Sequence, residues 1–404
     1  MNSPHSNRGQ LLEHFSMEMY SPSKGVSEVI KYPYGSNFLT GLNPLWVFDT
    51  VKMHGKKSGP YMMYFDSTNL CGDHCEMCFL YEKRKSTGLR TQIGVDKAYA
   101  FLDEMFSLSP FLKSVVMGGP GEPLEYSHFE DIISYFSKNG LAIHIYSSGN
   151  ARIKKYVESI VDNVTLFRVS LDASNAETYV KTHGKKDFKN RLEYLKVLIS
   201  KRDSRKSEML IGVHFVIQKH NFGEILDFAK LVNSIGVDCV EYVWESYYVV
   251  NGMDDSEVIE ATELLESVEK MRAESFSVIS PLARVKHQLT EETSRLLTAE
   301  QVEKHCQDLT GRLNFTVNGN VSLCAQERFE TESVFDLGDA TPEIARKLRF
   351  GIDNGFTDFL PNGKFEVGCA TCFCNNYNRT MNVMARFIEK HEDAHARLIS
   401  GNEH

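Results

Sequence analysis

The 404-residue chain has little that would tie it to a membrane, a nucleic acid or an oxidising compartment. No apolar run approaches the ~18 residues that a membrane span needs. The opening stretch, MNSPHSNRGQLLEHFSMEMYSP, has no apolar segment of signal-peptide type, so secretion is disfavoured and a cytoplasmic location is expected. Positive charge is not in excess. Lys and Arg number 45 against 54 Asp and Glu, a net charge of −9, which argues against nucleic acid as a partner held by a broad basic surface. No internal repeat or low-complexity tract is found. Hydrophobic residues at 42% and charged residues at 25% fit one large folded domain with appendages, or two to three smaller ones.

Cysteine carries the most information. The nine are Cys71, Cys75, Cys78, Cys239, Cys306, Cys324, Cys369, Cys372 and Cys374. An odd count in tight clusters, with no signal peptide, disfavours a disulfide framework. Three near the start and five near the end read instead as metal or iron–sulfur ligands.

Organisation follows from periodicity. Residues 1–58 are rich in turn formers and read as an irregular lead-in with at most short elements. Apolar and β-branched runs then recur at 61–66, 114–118, 142–148, 166–172, 210–217 and 237–244. Helical patterns at 95–107, 127–138, 152–161, 187–201 and 222–234 separate them. Such alternation predicts parallel strands with right-handed crossovers. Segment 59–250 is therefore one α/β unit, and six strands could form most of a barrel with one side open. Residues 251–304 read as a helical connector, with helices over 254–273 and 290–305. Asn318-Gly319 marks a hairpin inside a small domain at 305–380, where 340–350 reads as a short helix. Residues 381–404 read as a helical, solvated tail.

The first cysteine group, Cys71-Gly-Asp-His-Cys75-Glu-Met-Cys78, follows the first of these strands. Three thiolates at C-x3-C-x2-C spacing can hold three corners of a cubane and leave its fourth iron open. An open position is what a catalytic metal centre needs. The competing reading is zinc, for which His74 inside the loop is poorly placed as a fourth ligand.

On these residues the sequence resembles the radical S-adenosylmethionine (SAM) enzymes. The resemblance implies a partial (β/α)6 TIM-like barrel and a [4Fe–4S] cluster on Cys71, Cys75 and Cys78, whose open iron is chelated by SAM. Reduction of that cluster cleaves SAM to methionine and a 5′-deoxyadenosyl radical that abstracts hydrogen from substrate. A flavodoxin- or ferredoxin-type donor would supply the electron. One departure is Met77, where the family has an aromatic residue near adenine; a thioether can make apolar contacts there.

Downstream, Met117-Gly-Gly-Pro-Gly-Glu-Pro-Leu124 resembles the family's GGEP motif with Pro-Gly inserted. Gly118 and Gly119 would let carbonyls approach a bound ammonium group, and Glu122 would supply countercharge. Alternation puts His144, Tyr146 and Ser148 on one face, and Arg168, Ser170 and Asp172 on another. Polar interior faces suit a cavity better than a packed barrel core. By resemblance, Ser148, Ser170 and Asp172 are candidates for the SAM ribose or carboxylate, and ordinary polar partners otherwise. His214 reads as a hydrogen-bonded interior residue at the same site.

The later cysteines, Cys306-x12-Gly319-x4-Cys324 and Cys369-x2-Cys372-x-Cys374, resemble SPASM and twitch domains, as does the Leu337-Gly338-Asp339 turn. Five thiols suit the shorter twitch arrangement, a small α+β domain with one auxiliary [4Fe–4S] cluster. Its ligands would be Cys306, Cys324, Cys369 and Cys372, with Cys374 as the spare or substitute. Structural zinc is the alternative. Cys239 belongs to neither group. It shares a strand face with Glu241 and Glu245 and is either a hydrogen donor to a substrate radical or a small core residue.

The resemblance implies oxidation or cross-linking of a ribosomally made peptide. The alternatives are a dehydrogenase or epimerase of an aminocyclitol or sugar, whose amines would suit Glu241 and Glu245, and an iron–sulfur carrier. The lead-in does not resemble the leader-binding module that many peptide maturases carry, so a peptide would need a separate recognition protein or direct docking.

Overall fold

A computed structural model of the chain describes residues 15–31, 48, 52, 60, 62–78, 80–81, 90–108, 112–245, 252–273, 275–282, 312–322, 336–346 and 387–400. The hairpin strands β1 (Phe15–Ser21) and β2 (Val26–Lys31) open the described chain. The main unit alternates β3 (Met62–Phe65), α1 (Val95–Leu108), β4 (Ser114–Met117), α2 (Phe129–Lys138), β5 (Ala142–Ser147), α3 (Ile153–Asn163) and β6 (Leu166–Ser170). It continues through α4 (Ala176–His183), α5 (Phe188–Arg205), β7 (Leu210–Ile217), α6 (Ile225–Ile235) and β8 (Cys239–Trp244). Then come α7 (Asp255–Glu269), β9 (Ser277–Ile279), β10 (Arg312–Phe315), β11 (Asn320–Ser322), β12 (Asp336–Asp339) and β13 (His395–Ser400).

Strands β3 to β8 are the six that alternation predicts, in sequence order and parallel. Their residues explain this. Ile143, Ile145, Phe167, Val169, Ile211, Val213 and Phe215 face the helices and are buried, while alternate positions turn inward. Helix α2 places Phe129, Ile132, Ile133 and Phe136 on its covered side, the spacing of an amphipathic helix. Helix α4 starts at Asn175, whose side chain accepts from the Glu177 and Thr178 amides, and ends at Gly184 with φ of 65°. The chain is thus a mixed α/β fold with a parallel sheet at its core, consistent with a partial TIM-like barrel.

Three features differ from the expectations. First, the sheet does not stop at six strands. β9 extends it in parallel beyond β8, and β10 pairs in parallel with β3, so the hairpin around Asn318-Gly319 continues the main sheet. β9 has only three residues, too few for alternation to register. Second, β1 and β2 are strands inside the segment expected to be irregular. Third, the expected helical tail is helical only over 387–390 among the described residues and continues as a strand over His395–Ser400, antiparallel to β1. Met17 and Met19 are buried in this small sheet. Its pairing joins the two ends of the described chain, a contact that local periodicity does not report. Of the other helix predictions, 254–273 is met by α7 and 342–346 is helical within 340–350, while 290–305 lies outside the described residues. Among the described residues no helix is long and apolar enough to cross a membrane.

Candidate active site

The Cys71–Cys78 loop leaves the sheet after β3. Its backbone hangs on the end of α4: the His74 amide donates to the His183 carbonyl at 3.2 Å and the Glu76 amide to the Thr182 carbonyl at 2.9 Å. These are helix-terminal carbonyls without an intrahelical donor, so the loop satisfies them. The Cys78 amide donates to the Cys75 carbonyl at 3.1 Å, which curls the loop back on itself. All three thiols are half-buried. The Cys75 thiol is pushed up by burial first, then by Asp73 and Asp172 and by the thiols of Cys71 and Cys78. Anionic neighbours around a sulfur are unfavourable alone and favourable around a cationic metal, so this donor set fits iron ligation. Among the described residues no three His, Cys, Asp or Glu side chains converge on one point as a single ion would require. A cubane asks instead for one thiolate on each of three irons.

Two salt-bridged residues brace the loop, and both escape sequence reasoning. Arg191, on α5 and 2% exposed, donates to Asp73 Oδ1 at 2.9 Å, to Asp187 Oδ2 at 3.0 Å and to the Ser148 carbonyl at 2.8 Å. Its Nη1 also reaches Ser148 Oγ at 3.0 Å. Asp73 lies inside the motif, which is a usable signal. Arg191 lies in a charged helix, where a buried Arg and a solvated one look alike.

Gly118 and Gly119 follow β4 as expected. A Cβ on Gly119 would sit 2.1 Å from Asp66 Oδ1, and one on Gly121 would sit 2.4 Å from the Thr68 carbonyl and 2.7 Å from Leu70. The inserted Pro-Gly therefore lets this turn pass close against the strand entering the cysteine loop. Glu122 is engaged within the protein. Its carboxylate accepts from the Leu124 amide at 3.1 Å, Ser147 Oγ at 2.7 Å and the Ser148 amide at 2.6 Å, and is buried. Burial raises its pKa against the pull of these donors. It braces the β4 and β5 ends. Glu122→Gln is expected to destabilise SAM-free protein by about 1–3 kcal/mol, because the amide NH2 faces the Ser148 N–H. Chemical unfolding without SAM checks this; a residue serving only as countercharge would leave that midpoint unmoved.

The interior face is polar, as predicted, and layered. Register places Tyr146, Arg168, Gly212 and Cys239 at one level and Ser170, His214 and Glu241 at the next. Arg168 is 1% exposed and pairs with Glu241 at 3.1 Å, with a hydrogen bond to Tyr146 Oη. Ser170 and His214 are half-buried, and His214 meets the Tyr146 ring edge-on at 6.0 Å. Below, His144 is buried with neither ring nitrogen hydrogen-bonded among the described residues, and burial and Arg168 bring its pKa down to about 3, so it is neutral. Cys239 is fully buried with Leu166, Leu210 and Ile279. A Cβ on Gly212 would lie 2.7 Å from its sulfur and 3.2 Å from Arg168 Cγ, so Arg168 closes over it. Burial pushes this thiol up to about 12, with Arg168 opposing.

Asp172 is likewise engaged within the protein. It has φ of 52°, is fully buried, accepts from the Val216 amide at 2.5 Å and lies 2.9 Å from His183 Nε2. Met77 is half-buried in the loop. Cys306, Cys324, Cys369, Cys372 and Cys374 lie outside the described residues.

Comparison with known proteins matches residues 66–214 to the Radical SAM superfamily. The tungsten-containing aldehyde ferredoxin oxidoreductase cofactor-modifying protein of Pyrococcus furiosus is 27% identical over 180 residues, 44% of this chain. That match spans about half of the relative's length, 49%. Among solved structures, Streptococcus suis SuiB bound to precursor peptide SuiA superposes with a TM-score of 0.56 at 13% identity, over 80% of this chain and 72% of SuiB. Native anSMEcpe with bound AdoMet gives 0.52 at 13% identity, over 82% and 97%. At such identity these likenesses concern the fold. With the cysteine loop at the end of β3 and the parallel sheet beneath it, residues 66–214 are a radical SAM domain, which implies SAM and a [4Fe–4S] cluster.

Proposed function

We propose that this chain is a radical SAM enzyme that oxidises or cross-links a ribosomally made peptide. The observation that carries the radical chemistry is the braced loop with Cys71, Cys75 and Cys78 beyond the C-terminal end of β3, set among anionic neighbours. When bound, SAM and the cluster supply a 5′-deoxyadenosyl radical. The chain's own residues hold them. The three thiolates would take the iron, Gly118 and Gly119 would bring backbone carbonyls to the methionine ammonium, and Ser170, His214 and Met77 would face SAM or substrate. Glu122, Ser148 and Asp172 act one step removed, fixing the strand ends and loops.

The peptide reading is supported by the fold shared with SuiB, whose structure holds a precursor peptide. The carboxylates that would suit an amine-bearing sugar are engaged: Glu241 by Arg168, and Glu245 by Gln218 Nε2 at 3.2 Å. An auxiliary [4Fe–4S] cluster on Cys306, Cys324, Cys369 and Cys372, with Cys374 as substitute, completes the proposal. Its support is position, since β11 ends two residues before Cys324 on the sheet that carries the cysteine loop. Cys239 is assigned to the core, below Arg168. The test is anaerobic reconstitution and reduction by dithionite. Formation of 5′-deoxyadenosine and methionine from SAM is expected, and S-adenosylhomocysteine as sole product would overturn the reading.

A further inference from the structure

The cysteine loop has a solvent-facing side, and the charge beside it serves neither the fold nor the proposed chemistry. Gly72 and His74 are exposed between the half-buried Cys71 and Cys75. The end of α4 meets the loop there. A Cβ on Gly184 would lie 3.1 Å from His74 Cβ and 3.2 Å from the His74 carbonyl, and the ring of His183 lies 3.2 Å from Cys75 Sγ. Three lysines follow directly: Lys185 is half-buried, and Lys186 and Lys189 are exposed. Among the described residues no carboxylate pairs with any of them. The neighbouring carboxylates are engaged elsewhere. Glu177 lies 3.1 Å from Lys181, Asp187 lies 3.0 Å from Arg191, and Glu76 lies 3.8 Å from His220. Helix α5 also begins here, with no acidic residue in its first turn and Lys189 within it. A cation at a helix N-terminus is unfavourable, so local stability does not account for Lys189. Val180, whose carbonyl accepts the Gly184 amide at 2.9 Å, is 36% exposed on the same end of α4.

We propose that Lys185, Lys186 and Lys189, with Val180, form the docking surface of a small acidic electron-carrier protein that reduces the cluster on Cys71, Cys75 and Cys78 across the contact between Gly184 and His74. The proposal rests on the iron–sulfur reading of that loop. The step moves one electron. The carrier is oxidised by one, the cluster is reduced by one, and no bond is made or broken. Charge selects an acidic partner. The chain carries a net −9, so an acidic protein is repelled by most of its surface and drawn to an uncompensated cationic patch. An exposed valine rimmed by charge has the apolar centre and polar border of an interface. Redox encounters are typically small, which suits a patch of this size.

The competing occupant is an acidic segment of the substrate. SAM cleavage without substrate separates the two. Full-length protein is reconstituted anaerobically and driven at low salt either by reduced flavodoxin, below saturation, or by dithionite. Lys185→Glu, Lys186→Glu and Lys189→Glu combined should lower flavodoxin-driven formation of 5′-deoxyadenosine roughly tenfold and leave the dithionite-driven rate at wild type. Raising the salt to about 0.5 M should narrow the gap, because exposed charges are screened. Lys113→Glu, Lys138→Glu and Lys270→Glu combined make the same change of net charge at exposed lysines where strands begin and helices end. That control should stay within about twofold of wild type with both reductants. A lysine-patch variant that flavodoxin drives as fast as wild type overturns the proposal, as does a control that falls equally far. Should the patch variant lose dithionite activity as well, Lys186→Gln with Lys189→Gln decides, with an unchanged flavodoxin-driven rate overturning it. Wild type that dithionite drives and flavodoxin does not also overturns it. Wild type that forms no 5′-deoxyadenosine with dithionite sinks the radical reading and this proposal together, whereas an active wild type with indifferent variants sinks this proposal alone.

Discussion

Cys71→Ala, Cys75→Ala and Cys78→Ala combined in one chain should abolish SAM cleavage outright and leave about half the iron of reconstituted wild type. Wild type should hold about eight irons, as two [4Fe–4S] clusters. The half that survives would belong to the later cysteines. The loop itself should persist, because its ties to α4 run through the amides of His74 and Glu76 rather than through any thiol. Iron and sulfide analysis with product chromatography checks both parts. About twelve irons in wild type would show two auxiliary clusters instead of one, and undiminished 5′-deoxyadenosine in the triple variant would place initiation elsewhere.

Arg191→Met is the substitution expected to cost most stability. Four hydrogen bonds leave one buried guanidinium, for Asp73, Asp187 and the carbonyl and hydroxyl of Ser148. Methionine fills similar volume but leaves Asp73 charged and buried without its partner. Removing one member of a buried ion pair costs about 3–5 kcal/mol. Denaturant unfolding of metal-free protein should report that loss, and cluster uptake should fall with it, since Asp73 sits between Cys71 and Cys75. An exposed role for Arg191 predicts less than about 1 kcal/mol. A Lys at this position should rescue only in part, because it cannot span the carboxylate and the carbonyl with a planar fork.

The sequence by itself determined the repeating unit and the motif that defines the site. Six apolar runs separated by amphipathic stretches are sufficient for parallel strands, because burial on both faces writes period and composition into the chain. The cysteine spacing is equally local, and so is the Asn318-Gly319 hairpin. The polar interior was legible for the same reason, since alternation on β5 and β6 sets Tyr146 and Arg168 inward whatever their partners are.

Tertiary structure decided everything that depends on which distant segments meet. β1 pairs with β13, and β10 with β3, through backbone hydrogen bonds that any residues can make, so no local signal names the partner. The three-residue strand β9 exists only because β8 offers it an edge. At the site, identity and role came apart in the same way. Glu122 stands where a countercharge is expected, but Ser147, Ser148 and Leu124 reach its carboxylate. Asp172 stands where a SAM ligand is expected, but a left-handed backbone turns it toward Val216 and His183. Arg191 and His183 carry no motif at all. A buried side chain takes its function from the groups that desolvate and bond it, and those come from other turns of the chain.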